Sequence, residues 1–227
     1  MFAAAAHNSR GQDDLLNLAS NASFETPAAS AGNQLPDGWG FFTSRGRTLQ
    51  LTKEKARTGT QSLGISPQQV PGADMGILQK LSVQPKARYT FSAYCLNSKA
   101  DALKGPLFGV LSIEWLDASG KEIERNESPT WNAGLSRMLW TLISLSAKVP
   151  DQAVRANFVI RVNDGAGQST GTCFVDDVCI RVRAADPQAS DRSARSRHSL
   201  TNTSTPEIRR APQPGLARSP QARPVLP

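Results

Sequence analysis

A chain of 227 residues with a formal net charge of +7 and 39% hydrophobic residues has room for one large domain, or one domain with a tail. It is a little poor in apolar residues for a chain packed throughout. No stretch approaches the roughly 20 apolar residues that a membrane helix needs, so no membrane span is predicted.

In chain order, residues 1–14 read as a disordered leader or tail. The apolar opening, Met1 to His7, is short for a signal-peptide core and follows no basic residues. From Leu15 to Arg183 short alternating runs are separated by turn chemistry, with little sign of a long helix. Leu35-Pro36-Asp37-Gly38 is a turn leading into the aromatic cluster Trp39, Phe41 and Phe42. Strands are predicted at 48–52, after the 58–60 turn up to Ile65, at 77–83, 89–96, 107–116, 122–124, 139–149 and 154–162. Evenly spaced short strands of this kind imply a sandwich or barrel.

Two pairs of strands are joined across prolines, Pro85 and Pro150, in similar sequence settings. If such a turn carries the chain between sheets, strands 89–96, 107–116 and 154–162 fall together in one sheet. The last strand, Thr172 to Val182, alternates Phe174, Asp176, Val178, Ile180 and Val182 against Cys173, Val175, Asp177 and Cys179. Two adjacent acids in such a run put at least one carboxylate against an apolar layer, where it needs a partner. The candidate partner is the segment from Asn17 to Glu25.

Beyond Ala184 the composition changes: seven of the chain's fifteen prolines, seven arginines, three acids and no aromatic residue. Such a segment buries too little apolar area to offset its ordering entropy, so 184–227 is predicted to be a disordered tail. Arginines without aromatic partners do not make a specific nucleic-acid site. The three cysteines, Cys95, Cys173 and Cys179, have no metal-ligand spacing. They read as small buried apolar residues or, in an exported chain, as one disulfide and one free thiol. Both histidines, His7 and His198, fall in the predicted tails, which removes Ser-His and Cys-His mechanisms. Glu25, Asp176 and Asp177, embedded in terminal segments, are poorly placed for the open carboxylate pair of a glycosidase. The prediction is therefore not an enzyme.

The ordered set Asn17-Leu18, Asn21, Phe24-Glu25, Pro36-Asp37-Gly38-Trp39, Thr58-Gly59-Thr60-Gln61-Ser62-Leu63, Tyr89-Thr90-Phe91, Trp115 to Gly120, Trp140-Thr141 and Phe174 to Val178 carries a resemblance. It is similar to carbohydrate-binding modules of the group containing families four, nine and twenty-two, within the galactose-binding-like jelly rolls. The resemblance implies a jelly roll of two antiparallel sheets over 15–183, a polysaccharide or glycan as partner, and a place outside the cell or in its envelope. It also implies a structural calcium (Ca2+) held by the Ser23 carbonyl, Glu25 and Asp177. The competing arrangement is metal-free, with Glu25 and the Asp pair accepting N–H bonds from a turn. Two other readings of function stand beside glycan binding: a structural or protein-interaction jelly roll, and a fragment of a larger glycoside hydrolase.

Alternation also nominates a ligand face. With Tyr89, Phe91, Ala93 and Cys95 inward, Tyr94 points out; with Leu111, Ile113 and Trp115 inward, Glu114 points out. With Val154, Phe158, Ile160 and Val162 inward, Asn157 and Arg161 point out. Were those strands in one sheet, Tyr94, Glu114, Asn157 and Arg161 would meet, an aromatic ring beside hydrogen-bonding groups. The plainer expectation is a solvated face on which Glu114 and Arg161 pair across strands. Trp39, Trp115 and Trp140 are expected in the core, and Trp131, in a loop, as an exposed platform.

Overall fold

The computed structural model describes residues 16–29, 32, 34–43 and 49–184. The predicted tails, 1–14 and 184–227, lie outside the described residues apart from Ala184. Ten strands follow in order: β1 (Gly40–Thr43), β2 (Leu49–Thr52), β3 (Ser62–Ile65), β4 (Pro71–Ser82), β5 (Arg88–Asn97), β6 (Phe108–Leu116), β7 (Glu122–Glu127), β8 (Thr141–Lys148), β9 (Arg155–Ala166) and β10 (Cys173–Arg183). They form two antiparallel five-stranded sheets, the first in the order β1-β4-β9-β6-β7 and the second in the order β2-β3-β10-β5-β8. The fold is the expected all-β sandwich of jelly-roll type.

Period-2 patterning decides which face of each strand is buried. Met75, Ile77, Leu111, Ile113, Trp115, Phe158 and Ile160 from the first sheet meet Leu63, Ile65, Phe91, Val175 and Ile180 from the second, all at 0% exposure. Each such side chain contributes about 1.5–3 kcal/mol on burial. Aromatic rings bridge the sheets: Phe91 meets Phe158 edge-on at 5.5 Å, and Tyr89 lies 5.7 Å from Phe158 and 6.2 Å from Trp115.

Three expectations need correction. The strands at 89–96, 107–116 and 154–162 do not share a sheet: β6 and β9 lie in the first and β5 in the second. Both proline turns do cross between sheets, but in opposite senses, from β4 into β5 at Pro85 and from β8 into β9 at Pro150. The strict alternation of the last strand also breaks. The register shifts between Asp176 and Cys179, and Asp177 adopts a φ of +46°. This bulge puts Cys173, Val175, Val178 and Ile180 together in the core, with Phe174 and Asp176 on the outer face. Val154, expected inward, is 44% exposed, and Ala156 takes the core position instead.

The segment before β1 runs along β10 without becoming a strand. Leu18 N donates to Ile180 O at 2.8 Å, and Val178 N donates to Ala22 O at 2.8 Å. The side chain of Asn21 donates to the carbonyls of Thr26 and Asp37 and accepts from Thr26 N, which ties the Pro36-Asp37-Gly38 turn to the chain start. Trp39 packs at 5.5 Å from the buried Phe24 and donates to Ser20 O.

Candidate functional site

The outer face of the first sheet carries a row of alternating charge. Glu114 on β6 stands in register with Asn157 on β9 and with Arg125 on β7. Its Oε1 accepts from Arg161 Nη2 at 3.0 Å and lies 3.0 Å from Arg125 Nη2; its Oε2 accepts from Asn157 Nδ2 at 3.0 Å. Arg161 Nε reaches Asp74 Oδ1 on β4 at 3.5 Å, and Arg125 binds Glu122 through two bonds of 2.9 and 2.8 Å. Asp74, Arg161, Glu114, Arg125 and Glu122 thus alternate in sign across β4, β9, β6 and β7. The Glu122 carboxyl is held below its ordinary range, chiefly by its hydrogen bond to Arg125, against a burial effect in the other direction.

This face is more closed than a solvated sheet surface. Glu114 is 7% exposed, Ser112 0% and Val159 1%, although all three point away from the core. Arg161 spans from β9 to Glu114, and the phenyl ring of Phe42 lies beneath its guanidinium at 5.5 Å. Phe42 holds that place because Gly76, its register partner, has no side chain; a Cβ there would come within 2.7 Å of the ring. Ser112 Oγ and Asn157 Oδ1 are buried without a hydrogen-bond partner. Phe108, on the same face of β6, is 40% exposed. With β1 and β6 three strand spacings apart, Phe42 and Phe108 flank a polar strip roughly 14 Å wide.

Of the predicted ligand residues, Glu114, Asn157 and Arg161 come together here and Tyr94 does not. Tyr94 sits on the outer face of the second sheet, in register with Asp176 and Leu142, and its ring lies 3.5 Å from the guanidinium carbon of Arg57. Trp131, expected as an exposed platform, is 4% exposed. Its indole lies on Gly109, where a Cβ would meet the ring at 2.0 Å, and its backbone exchanges two hydrogen bonds with that residue. The glycine inside strand Phe108-Gly109-Val110 was the available signal, since a strand glycine marks close approach by another group. Arg125 was out of reach of the sequence: counting back from Leu116 and Glu122 across the Asp117–Gly120 turn would set Glu124 opposite Glu114, and a register shift between Trp115 and Leu116 puts Arg125 there instead.

Of the predicted metal ligands, Glu25 and Asp177 lie around the turn at residues 57–61, and Ser23 is half-buried in the separate turn that precedes Phe24. Glu25 accepts from Thr60 N, Thr60 Oγ1 and Gln61 N, at 2.8–3.1 Å. Burial acts to raise its pKa, but these bonds and the charge of Lys53 hold it below the ordinary range. Asp176 Oδ2 accepts from Arg57 N at 2.6 Å and Thr58 N at 3.3 Å, and its Oδ1 from Asp177 N at 2.7 Å. Burial nevertheless pushes the Asp176 carboxyl up to about 6. Asp177 accepts from Arg57 Nη1 and Thr58 Oγ1, each at 2.5 Å. A calcium ion takes about six to eight oxygen ligands. Here the oxygens of Glu25 and Asp177 face N–H, O–H and guanidinium donors, an arrangement that does not fit the expected ion. Cys95 and Cys173 are buried free thiols and Cys179 is a half-buried one.

No model of a known protein family matches the chain, and no curated protein matches it by sequence. Solved structures do match in fold. One is the enzymatically active domain of tailspike protein 4 from bacteriophage CBA120, with a TM-score of 0.52 and 17% identity over 74% of this chain and 21% of that one. A second is the CBM22-1 xylan-binding domain of Paenibacillus barcinonensis Xyn10C, with a TM-score of 0.50 and 17% identity over 73% of this chain and 94% of that one. A third is the CBM22-1 and GH10 modules of Clostridium thermocellum xylanase 10B complexed with xylohexaose, with a TM-score of 0.50 and 19% identity over 72% of this chain and 28% of that one. The chain therefore has the jelly-roll fold of carbohydrate-binding modules, and it spans well under half of the first and third of these proteins.

Proposed function

We propose that this domain is a non-catalytic glycan-binding module whose ligand lies on the outer face of the first sheet, across β1, β4, β9 and β6. The observation that carries the reading is the polar strip between Phe42 and Phe108. It pairs rings that offer an apolar face to a sugar ring with a few fixed groups suited to hydroxyls, the usual make-up of a small-ligand site. Arg161 stands at its centre. Its contacts with Glu114, Asp74 and Phe42 hold the guanidinium in one orientation before a ligand arrives, which lowers the ordering cost of binding. The two acids nearest the strip, Asp74 and Glu114, are both ion-paired to Arg161 rather than opposed across open space. That supports binding over hydrolysis. The resemblance to envelope and exported modules supports a place outside the cytoplasm, where polysaccharide is met.

The test is gel retardation against a panel of soluble polysaccharides, followed by titration calorimetry with oligosaccharides of any that bind. Retardation by at least one polysaccharide is expected, with a tenfold or greater loss of affinity in both Phe42→Ala and Arg161→Ala and none in Tyr94→Ala. Binding left intact in both face variants, with folding verified by circular dichroism, removes the site from this face.

A further inference from the structure

The acidic junction between the chain start and β10 is closed by a positive group of the chain's own. We infer that Arg57 serves as a built-in counter-ion there, so that the junction is fastened without a bound divalent cation. This inference is independent of glycan binding, which is placed on the other sheet.

Three carboxylates, from Glu25, Asp176 and Asp177, converge on the turn at residues 57–61. Each of their six oxygens accepts at least one bond from an N–H or O–H of residues 57–61 or from Asp177 N. Gln61 Nε2 adds a bond of 2.8 Å to Phe24 O, so the turn also grips the backbone beside Glu25. A divalent ion needs those same lone pairs, whereas the turn aims protons at them. Arg57 contributes twice, with its backbone N–H to Asp176 and its side chain to Asp177.

The guanidinium is also held in place. It lies 3.5 Å from the centre of the Tyr94 ring, and Tyr94 stands in register with Asp176 on the neighbouring strand. Ring on one side and carboxylate on the other restrict it to one orientation. A guanidinium stays charged at any pH a protein survives, and its planar fork suits a carboxylate better than an ammonium does. The bulge at Asp177 turns that carboxylate toward Arg57. A calcium ion brought to Asp177 would meet this fixed positive charge.

The test compares thermal melts in 5 mM EDTA and in about 5 mM calcium chloride, together with terbium luminescence as a direct probe of lanthanide binding at a calcium-type site. The wild-type chain is expected to melt at the same temperature in both and to give no saturable terbium signal. Arg57→Met, which keeps the stem and removes the charge, is expected to lower the midpoint by several degrees in EDTA and to recover part of that loss in calcium. If Arg57→Met does not fold, Arg57→Lys is measured instead, with a smaller loss and no calcium response expected. A wild-type midpoint that rises in calcium, a saturable terbium signal, or an Arg57→Met midpoint equal to wild type overturns the inference.

Discussion

Asn17 and Ile180 lie 163 positions apart and are joined through the Asn17 side chain, whose Oδ1 accepts from Ile180 N at 2.9 Å. The same amide donates to Val178 O at 2.8 Å. One side chain therefore satisfies a donor and an acceptor on the edge of β10 that β3, paired only with Cys173 to Val175, does not reach. Replacing it with alanine strands both, at a cost of about 1–3 kcal/mol. Asn17→Asp keeps the acceptor and loses the donor, so it is expected to fall between alanine and wild type. Urea denaturation of the three proteins measures the order.

Gly59→Ala is expected to destabilise the chain more than a surface glycine substitution does. Gly59 has a φ of +63°, and an added Cβ would lie 2.4 Å from the Glu25 carboxylate. The positive φ alone costs about 1 kcal/mol. Displacing Glu25 from the N–H groups of Thr60 and Gln61 adds to that. The comparison is Gly32→Ala, with a similar φ of +62° and nothing within 4 Å. A larger loss at 59 than at 32 in thermal melts is the outcome expected.

Glu114→Gln and Glu114→Ala separate charge from contact on the first sheet. The alanine leaves Arg161 and Arg125 facing each other across a buried gap, and a loss of about 3 kcal/mol is expected. Glutamine keeps an acceptor for Asn157 or Arg161 and loses less. Chemical denaturation at low and high salt distinguishes them, since the like-charge repulsion in the alanine variant is screened by added salt.

Asp176 gives a pH dependence of known sign. Its folded pKa, about 6, lies above its ordinary value of 3.8. Between those values the unfolded chain has released a proton that the folded chain keeps. Asp176 therefore favours folding below about pH 4, and this contribution falls as pH rises through 6, by about 3 kcal/mol in all. Glu25 acts in the opposite sense, so the readout is a difference. Stability of wild type minus Asp176→Asn, from urea melts at pH 4 to 7, is expected to decline across that range. A flat difference refutes the assignment.

Much of the fold was legible because alternation is a physical consequence of the pleat. Tyr89, Phe91, Ala93 and Cys95 read inward and are at most 2% exposed. β1 was not legible as a strand: Gly40-Phe41-Phe42-Thr43 is a short edge element without alternation, set by its pairing with β4. The partition of strands between sheets also escaped, because each proline marks a crossing but not its direction. Tyr94 was lost from the predicted ligand face for that reason, while Glu114, Asn157 and Arg161 kept company. The bulge at Asp177 left only an indirect signal, two adjacent acids in an apolar run, which shows that a carboxylate needs a partner but not that the register shifts. Arg57, in the polar stretch Lys53 to Thr60, looks like a solvated turn residue until folding brings it over Tyr94.

The placement of the tryptophans has an optical consequence. Trp115 is 0% exposed, Trp131 4% and Trp39 8%; Trp140, expected in the core, is half-buried just before β8 of the second sheet, and the rings flanking the polar strip are both phenylalanines. Emission excited at the indole band will therefore come mainly from the packed interior and will follow its loss. Under the proposed binding mode, with the saccharide between Phe42 and Phe108, it is expected to change little. A quenching titration, a common first assay for sugar binding, would return a flat line from a fully occupied protein. Calorimetry or retardation in a gel sees the event that the fluorophores do not face.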